Sequence, residues 1–185
     1  MAMPMVAPRY SIADLDRFPD DGNRYELLGG VLLVTPSPGP PHQVVLGRLT
    51  WALWDYLGPA GLAAVTTPGV LQVGDDTQLE PDLLVVPARY VDAASWRQMT
   101  DWWLAVEVSG HASRVYDRDF KTEAYLRIGV REVWRVDLRD RTVFVSRHDG
   151  PADVPHVDRL VWHPPEMTEP LKLEVRTIFP RTASS

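Results

Sequence analysis

Cysteine is absent from the 185-residue chain, so disulfides, thiolate zinc sites and cysteine nucleophiles are excluded, and nothing points to an oxidising compartment. A reducing cytoplasm is the expected setting. Long apolar runs are missing too: no window approaches the roughly 18 consecutive apolar residues of a membrane span, and the opening "MAMPMVAPRY" lacks the basic flank and apolar core of a signal peptide. A soluble, retained protein with no membrane partner is expected. Basic residues are in deficit, 19 Lys and Arg against 25 Asp and Glu for a formal charge of −6, whereas a dedicated nucleic-acid binder usually carries a basic surplus. That balance counts against tight non-specific DNA binding, although net charge averages over faces that can differ. A glycine-rich phosphate loop, a nucleophile elbow and a nucleotide fingerprint are also absent, so kinase, dehydrogenase and serine-hydrolase chemistry has no support.

What is present fits one compact domain over residues 1–185, since 45% of the residues are hydrophobic and the length lies within the usual domain range. Residues 1–8 and 181–185 are expected to be flexible. "SIADLDRFP" predicts a short helix capped by Ser11 and stopped at Pro19. "RYELLGGVLLV" reads as two apolar segments turned at Gly29-Gly30, a hairpin signature that places Glu26 on its first strand. "TPSPGPPH" holds four prolines in eight residues and predicts a stiff loop. After it, Val45, Leu49, Leu53 and Tyr56 recur at near-helical spacing up to Gly58-Pro59, which predicts a long core helix over 42–57.

Short β-type pieces follow in "LAAV", "GVLQV" and "DLLVVP", the last a continuous apolar run suited to a strand buried on both faces, with Asp82 at its entrance. The intervening "GDDTQLEP" reads as a polar break. "WLAVEVS" alternates Leu104, Val106 and Val108 against Trp103, Ala105, Glu107 and Ser109, so Glu107 takes a definite side of a sheet. Ser113 can cap a helix over roughly 116–129, with Tyr116, Phe120, Ala124 and Ile128 as a core-facing ridge and Gly129 closing it. "VREVWRVDL" and "RTVFVSRH" predict a second strand pair. The proline-punctuated stretch after it has a loose pattern, and "LKLEVRTIF" offers one further strand and the start of a helix. The sum is an α/β fold with a mixed central sheet flanked by helices and extra strands near both ends.

A glutamate inside an apolar strand is costly unless something compensates its charge. Here an acidic residue at the mouth of one buried strand, Asp82, precedes a glutamate within the next, Glu107, and a lysine on the following helix, Lys121. Hard divalent cations such as Mg²⁺ take one or two carboxylates, with waters and substrate phosphate completing the shell, which Asp82 and Glu107 satisfy if their strands are neighbours. A nearby ammonium could stabilise developing charge or orient water, and two carboxylates would keep it cationic.

"PDLLVV", "AVEV" and "YDRDFKTEAYLRIGVREVWRVD" together resemble the PD-(D/E)XK restriction-endonuclease-like superfamily, and within it the Uma-type group of bacterial endonucleases, from about "RYELLGGVLLVTPSPGPPHQ" to "RTVFV". The resemblance implies a Mg²⁺-dependent endonuclease acting on DNA as a homodimer, with Mn²⁺ as a substitute metal. It implies Asp82 and Glu107 as metal ligands, Lys121 as the catalytic lysine and Glu26 as an auxiliary acidic residue. The superfamily name requires a lysine two residues after the glutamate, where this chain has Ser109; in this group a helix lysine supplies that charge, and Lys121 matches its place. "SGHAS" also departs from the group's usual Ser-Pro-Ser type turn, so His111 alters the loop beside the site.

Each residue also has a plainer reading. Asp82 could cap a turn, Glu107 could pair with an arginine on an outer face, and Asp117 with Lys121 could form an ordinary helix pair. Tyr125, one turn beyond Lys121, packs or contacts phosphate, and His42 lines a cleft, caps a helix or faces solvent. Most of the seven tryptophans, among them Trp51, Trp54, Trp102 and Trp103, suit core or subunit contacts better than base stacking. Arg114, Arg118, Lys121, Arg127 and Arg131 gather into a basic group that mostly reads as a solvated mixed-charge face. The spacing of His156, His163 and Glu166 fits no zinc pattern. A non-catalytic nuclease-fold module for binding or assembly is the rival reading, favoured by the acidic balance and by Ser109.

Overall fold

The computed structural model describes residues 8–110 and 120–180. The two terminal segments expected to be flexible, apart from Pro8, lie outside the described residues, as do His111, Ser113, Arg114, Tyr116, Asp117 and Arg118.

A six-stranded sheet in the order β10-β9-β8-β7-β6-β3 forms the centre. It contains β3 (Ala63–Thr66), β6 (Leu83–Pro87), β7 (Trp102–Ser109), β8 (Val130–Asp137), β9 (Thr142–Arg147) and β10 (Val154–His156). Among these, β7 and β8 pair in parallel and the other neighbours antiparallel, so the sheet is mixed. A parallel pair needs a crossover, and the connection from β7 to β8 carries α3 (Thr122–Arg127). A four-stranded antiparallel sheet, β2-β1-β5-β4, joins β1 (Arg24–Leu28) and β2 (Val31–Thr35) to β4 (Leu71–Val73) and β5 (Thr77–Leu79). The β1–β2 turn is Gly29-Gly30, with φ of 56° and 77°, the double left-handed geometry that two-residue hairpins favour and glycine tolerates.

The central sheet is apolar on both faces. Toward one, Leu83, Val85, Leu104, Val106, Val108, Trp134 and Val136 pack with Val45, Leu49, Leu53 and Leu57 of α2 (Pro40–Leu57) and with the hairpin of β11 (Arg159–Trp162) and β12 (Leu171–Glu174). Toward the other, Leu84, Val86, Ala105 and Val133 pack with Leu33, Leu71 and Leu79 of the smaller sheet and with Ala124 and Tyr125 of α3. The alternation expected for β7 therefore holds from Leu104 onward. Trp103, expected on the Glu107 side, instead joins the α2 cluster, and Trp102 joins the opposite one.

Several expectations are corrected. The polar break "GDDTQLEP" contains β5, whose edge-to-edge pairing with β1 and β4 stabilises three residues that no apolar run marks. The loose region after residue 148 contains β10 and β11, which gain their order from pairing with β9 and β12. The expected core ridge fails at Phe120, which is 54% exposed; the chain there has a π-type turn at 120–121 before α3 begins, and Thr122, Ala124 and Tyr125 are the buried positions. A π-turn rotates side chains away from ordinary helical spacing. In α2 the last core position is Leu57, with Tyr56 half-buried and hydrogen-bonded through its hydroxyl to the Glu169 carbonyl. The short first helix, α1 (Ile12–Leu15), has its first turn tied by Asp14, whose carboxylate accepts from the Ser11 amide and hydroxyl.

Candidate active site

Strand register brings the first two acidic residues together. In the antiparallel β6–β7 pair Leu83 stands opposite Val106, and the same register continued by one residue sets Asp82 against Glu107. Both project to the side of the sheet that faces the smaller sheet and α3, because Asp82 shares its parity with Leu84 and Glu107 shares its parity with Ala105. Glu26 arrives from β1, across the gap between the sheets. Lys121, at the start of α3, reaches between the glutamates: its Nζ is 2.7 Å from Glu26 Oε2 and 3.2 Å from Glu107 Oε1. All four residues are buried, Lys121 to 2% exposure.

The supporting bonds are directional. Tyr125 donates its hydroxyl to Glu107 Oε1 at 2.6 Å. Burial together with the Glu107 charge pushes the phenol well above its usual range, so it stays protonated and donating. The Glu80 amide donates to Glu26 Oε1 at 2.7 Å. Asp82 Oδ2 accepts from His42 Nε2 at 2.9 Å and from the Val108 amide at 2.8 Å, while Oδ1 accepts from both terminal nitrogens of Arg24 at 3.1 Å. Burial alone would raise the Asp82 carboxyl, but the His42 hydrogen bond and charge, Arg24 and the Val108 amide outweigh it and hold it below the usual carboxylate range. An ionised Asp82 can only accept, so the shared proton sits on His42 Nε2.

A cavity of about 660 Å³ opens over this cluster, lined by Arg24, His42, Glu80, Asp82, Glu107 and Lys121, with the proline-rich stretch before α2 forming part of its wall. Lys121, Asp82 and Glu107 thus share one cavity, and His42 lines it from the first turn of α2. Tyr125 and Glu26 are fully buried, consistent with places behind the cavity lining. Asp117 lies outside the described residues.

Arg24 and Glu80 were not anticipated. Arg24 stands two residues before Glu26, hence on the same face of β1, and that spacing was the available signal. Its guanidinium also donates to the Glu80 carbonyl at 2.8 Å. Burial would lower its pKa, but Asp82, Glu107 and Glu26 together raise it further. The Glu80 carboxyl is raised by burial and by the Glu26 charge. Ser109 is fully buried, with its hydroxyl directed at the Val136 carbonyl at 3.4 Å, so the position where the superfamily name calls for lysine is packed against β8.

Among the described residues, no group of three or more His, Cys, Asp or Glu side chains is arranged to enclose a metal ion. The carboxylates that line the cavity beside Lys121 are Asp82 and Glu107, both held by protein donors. Carboxylate oxygens are the donors that a hard divalent cation takes, so the residues fit Mg²⁺ in donor type.

The fold is similar to a solved structure from Anabaena variabilis titled as "a putative nuclease belonging to DUF820", with a TM-score of 0.73 at 19% identity, covering 92% of this chain and 97% of that one. No curated protein matches the sequence. Residues 12–176 match the Uma2 family, described as "Putative restriction endonuclease". With nearly its whole length matched, the chain belongs to the Uma2 family of restriction-endonuclease-like proteins.

Proposed function

We propose that this protein is a Mg²⁺-dependent endonuclease that hydrolyses DNA phosphodiester bonds in the bacterial cytoplasm. The observation that carries the reading is that Asp82, Glu107 and Lys121, drawn from three separate elements, line one cavity. In this PD-(D/E)XK-like scheme Asp82 and Glu107 hold the metal, Mg²⁺ or its substitute Mn²⁺. A bound metal would supply a water of lowered pKa and neutralise charge on the phosphate. Lys121, kept cationic between Glu26 and Glu107, orients the attacking water and offsets charge that develops on the phosphoryl oxygens. Water adds to phosphorus and one ester P–O bond breaks, giving a phosphomonoester and a hydroxyl. His42 fixes the Asp82 carboxylate through their shared proton, and Tyr125 fixes Glu107.

Nicking of supercoiled plasmid tests this, with Mg²⁺ or Mn²⁺ supplied and EDTA as control. Cleavage by wild-type protein is expected, with loss in both Glu107→Gln and Lys121→Ala proteins that remain folded. Unchanged cleavage by Glu107→Gln protein would remove the basis of the assignment.

One observation favours a second reading, a non-catalytic module for DNA binding or assembly: every acceptor position of Asp82 is filled by a protein donor. Calorimetric titration with Mn²⁺ separates the two, since such a module binds no ion there. A homodimer is also part of the proposal. Its support is an exposed stripe on α2, where Trp51 and Trp54 are 67% and 60% exposed beside Val44; large exposed aromatics at helical spacing suit an interface. Sedimentation of the wild-type chain as a monomer would eliminate this part.

A further inference from the structure

An ionised carboxylate offers about four acceptor positions, two on each oxygen. Asp82 uses all of them within the protein: His42 Nε2 and the Val108 amide on Oδ2, and two Arg24 nitrogens on Oδ1. The four donors differ in kind. The Val108 amide belongs to β7 and cannot leave without opening the sheet. His42 is buried on α2. Arg24 alone is a long side chain, 23% exposed, that borders the cavity and is anchored elsewhere by a single bond to the Glu80 carbonyl. It is also the one donor that carries a permanent charge into the carboxylate group, and guanidinium is weakly hydrated and suited to such a position.

We propose that Arg24 is a placeholder cation: its guanidinium occupies the Oδ1 edge of Asp82 when no divalent ion is bound and vacates that edge for the ion. The inference rests on the metal-site reading above. His42 and the Val108 amide fill Oδ2, so an ion reaches Asp82 at Oδ1, where it competes with the guanidinium for the same lone pairs and the two cations repel. The displaced guanidinium remains at the cavity wall, within reach of an anion held there. Arg24 is a positioning residue here, acting on the ligand Asp82, and its removal has an effect opposite to that of removing a structural support. A support, once lost, weakens metal binding; a competitor, once lost, strengthens it.

Isothermal titration with Mn²⁺ provides the test, on wild-type, Arg24→Met, Arg24→Lys, Asp82→Asn and Glu107→Gln proteins, each checked for folding by thermal melting in EDTA. Losing a charge-assisted pair that competes with the ion is expected to tighten Mn²⁺ binding in Arg24→Met about tenfold. Arg24→Lys, which keeps the charge but cannot place two nitrogens on one oxygen, is expected to fall between the two, and it carries the test alone if Arg24→Met does not fold. The gain should vanish in an Arg24→Met/Asp82→Asn double variant. Equal or weaker Mn²⁺ binding by the Arg24 variants, where wild-type binding is lost in Glu107→Gln, overturns the placeholder role and leaves the metal site standing. Failure of every protein to bind Mn²⁺ overturns both together.

Discussion

On one side of β7, Leu104, Val106 and Val108 meet Val45, Leu49 and Leu53 of α2 in an apolar cluster. On the other side, one residue out of step, Glu107 meets Lys121 and Tyr125 and stands in register with Asp82. The first face gains from area removed from water, a term that needs complementary shape and no particular partner. The second removes charges from water at a cost of several kcal/mol per ion, recovered only through well-placed partners. Burial is nearly complete on both faces, while tolerance to change differs. An apolar contact degrades gradually; a charge without its partner fails at once.

Lys121→Met removes the ammonium between Glu26 and Glu107 and leaves two buried carboxylates in apposition. A loss of about 3–5 kcal/mol in urea-denaturation stability is expected, with partial recovery when Glu26→Gln is added. A loss below about 1 kcal/mol would mean that the carboxylates find other compensation, and the contrast between the faces would collapse. Next in size is Leu53→Ala on the apolar face, expected to cost about 2–5 kcal/mol through lost contacts and a cavity. Leu53 lies roughly 16 Å along α2 from His42, so Mn²⁺ affinity measured by titration should stay at the wild-type value, and a large fall would show the two faces to be coupled. Within the polar face a single neutral donor matters less than the ammonium. Tyr125→Phe keeps the ring and deletes the donor to Glu107 Oε1, for a loss of about 1–3 kcal/mol, with the melting temperature in EDTA as the readout.

The parts of the fold legible in the sequence were those where pattern and environment agree. The spacing of Val45, Leu49 and Leu53 marks α2, the glycine pair marks the β1–β2 turn, and the apolar runs mark β6, β7 and β8. The strands that escaped, β5, β10 and β11, are three or four residues long and owe their order to neighbours in the sheet, which no local window contains. Phe120 misled because a π-turn shifts the helical phase. At the site, Asp82, Glu107, Lys121, Glu26, Tyr125 and His42 were legible as candidates, and the structure gathers them around one cavity or directly behind it. Arg24 and Glu80 were not, because their significance comes from register across two sheets. Arginine near a strand start and glutamate before a proline are ordinary surface residues until the fold turns them toward Asp82 and Glu26.

The order in which the site residues occur along the chain has a consequence for synthesis. Arg24 and Glu26 emerge first, then His42, Asp82 and Glu107, and Lys121 last, so no growing chain shorter than 121 residues possesses the full constellation. Until Lys121 is made, Glu26 and Glu107 lack the ammonium that joins them in the folded protein. The cavity acquires its full lining only once the hairpin, the central sheet and the crossover helix are all in place.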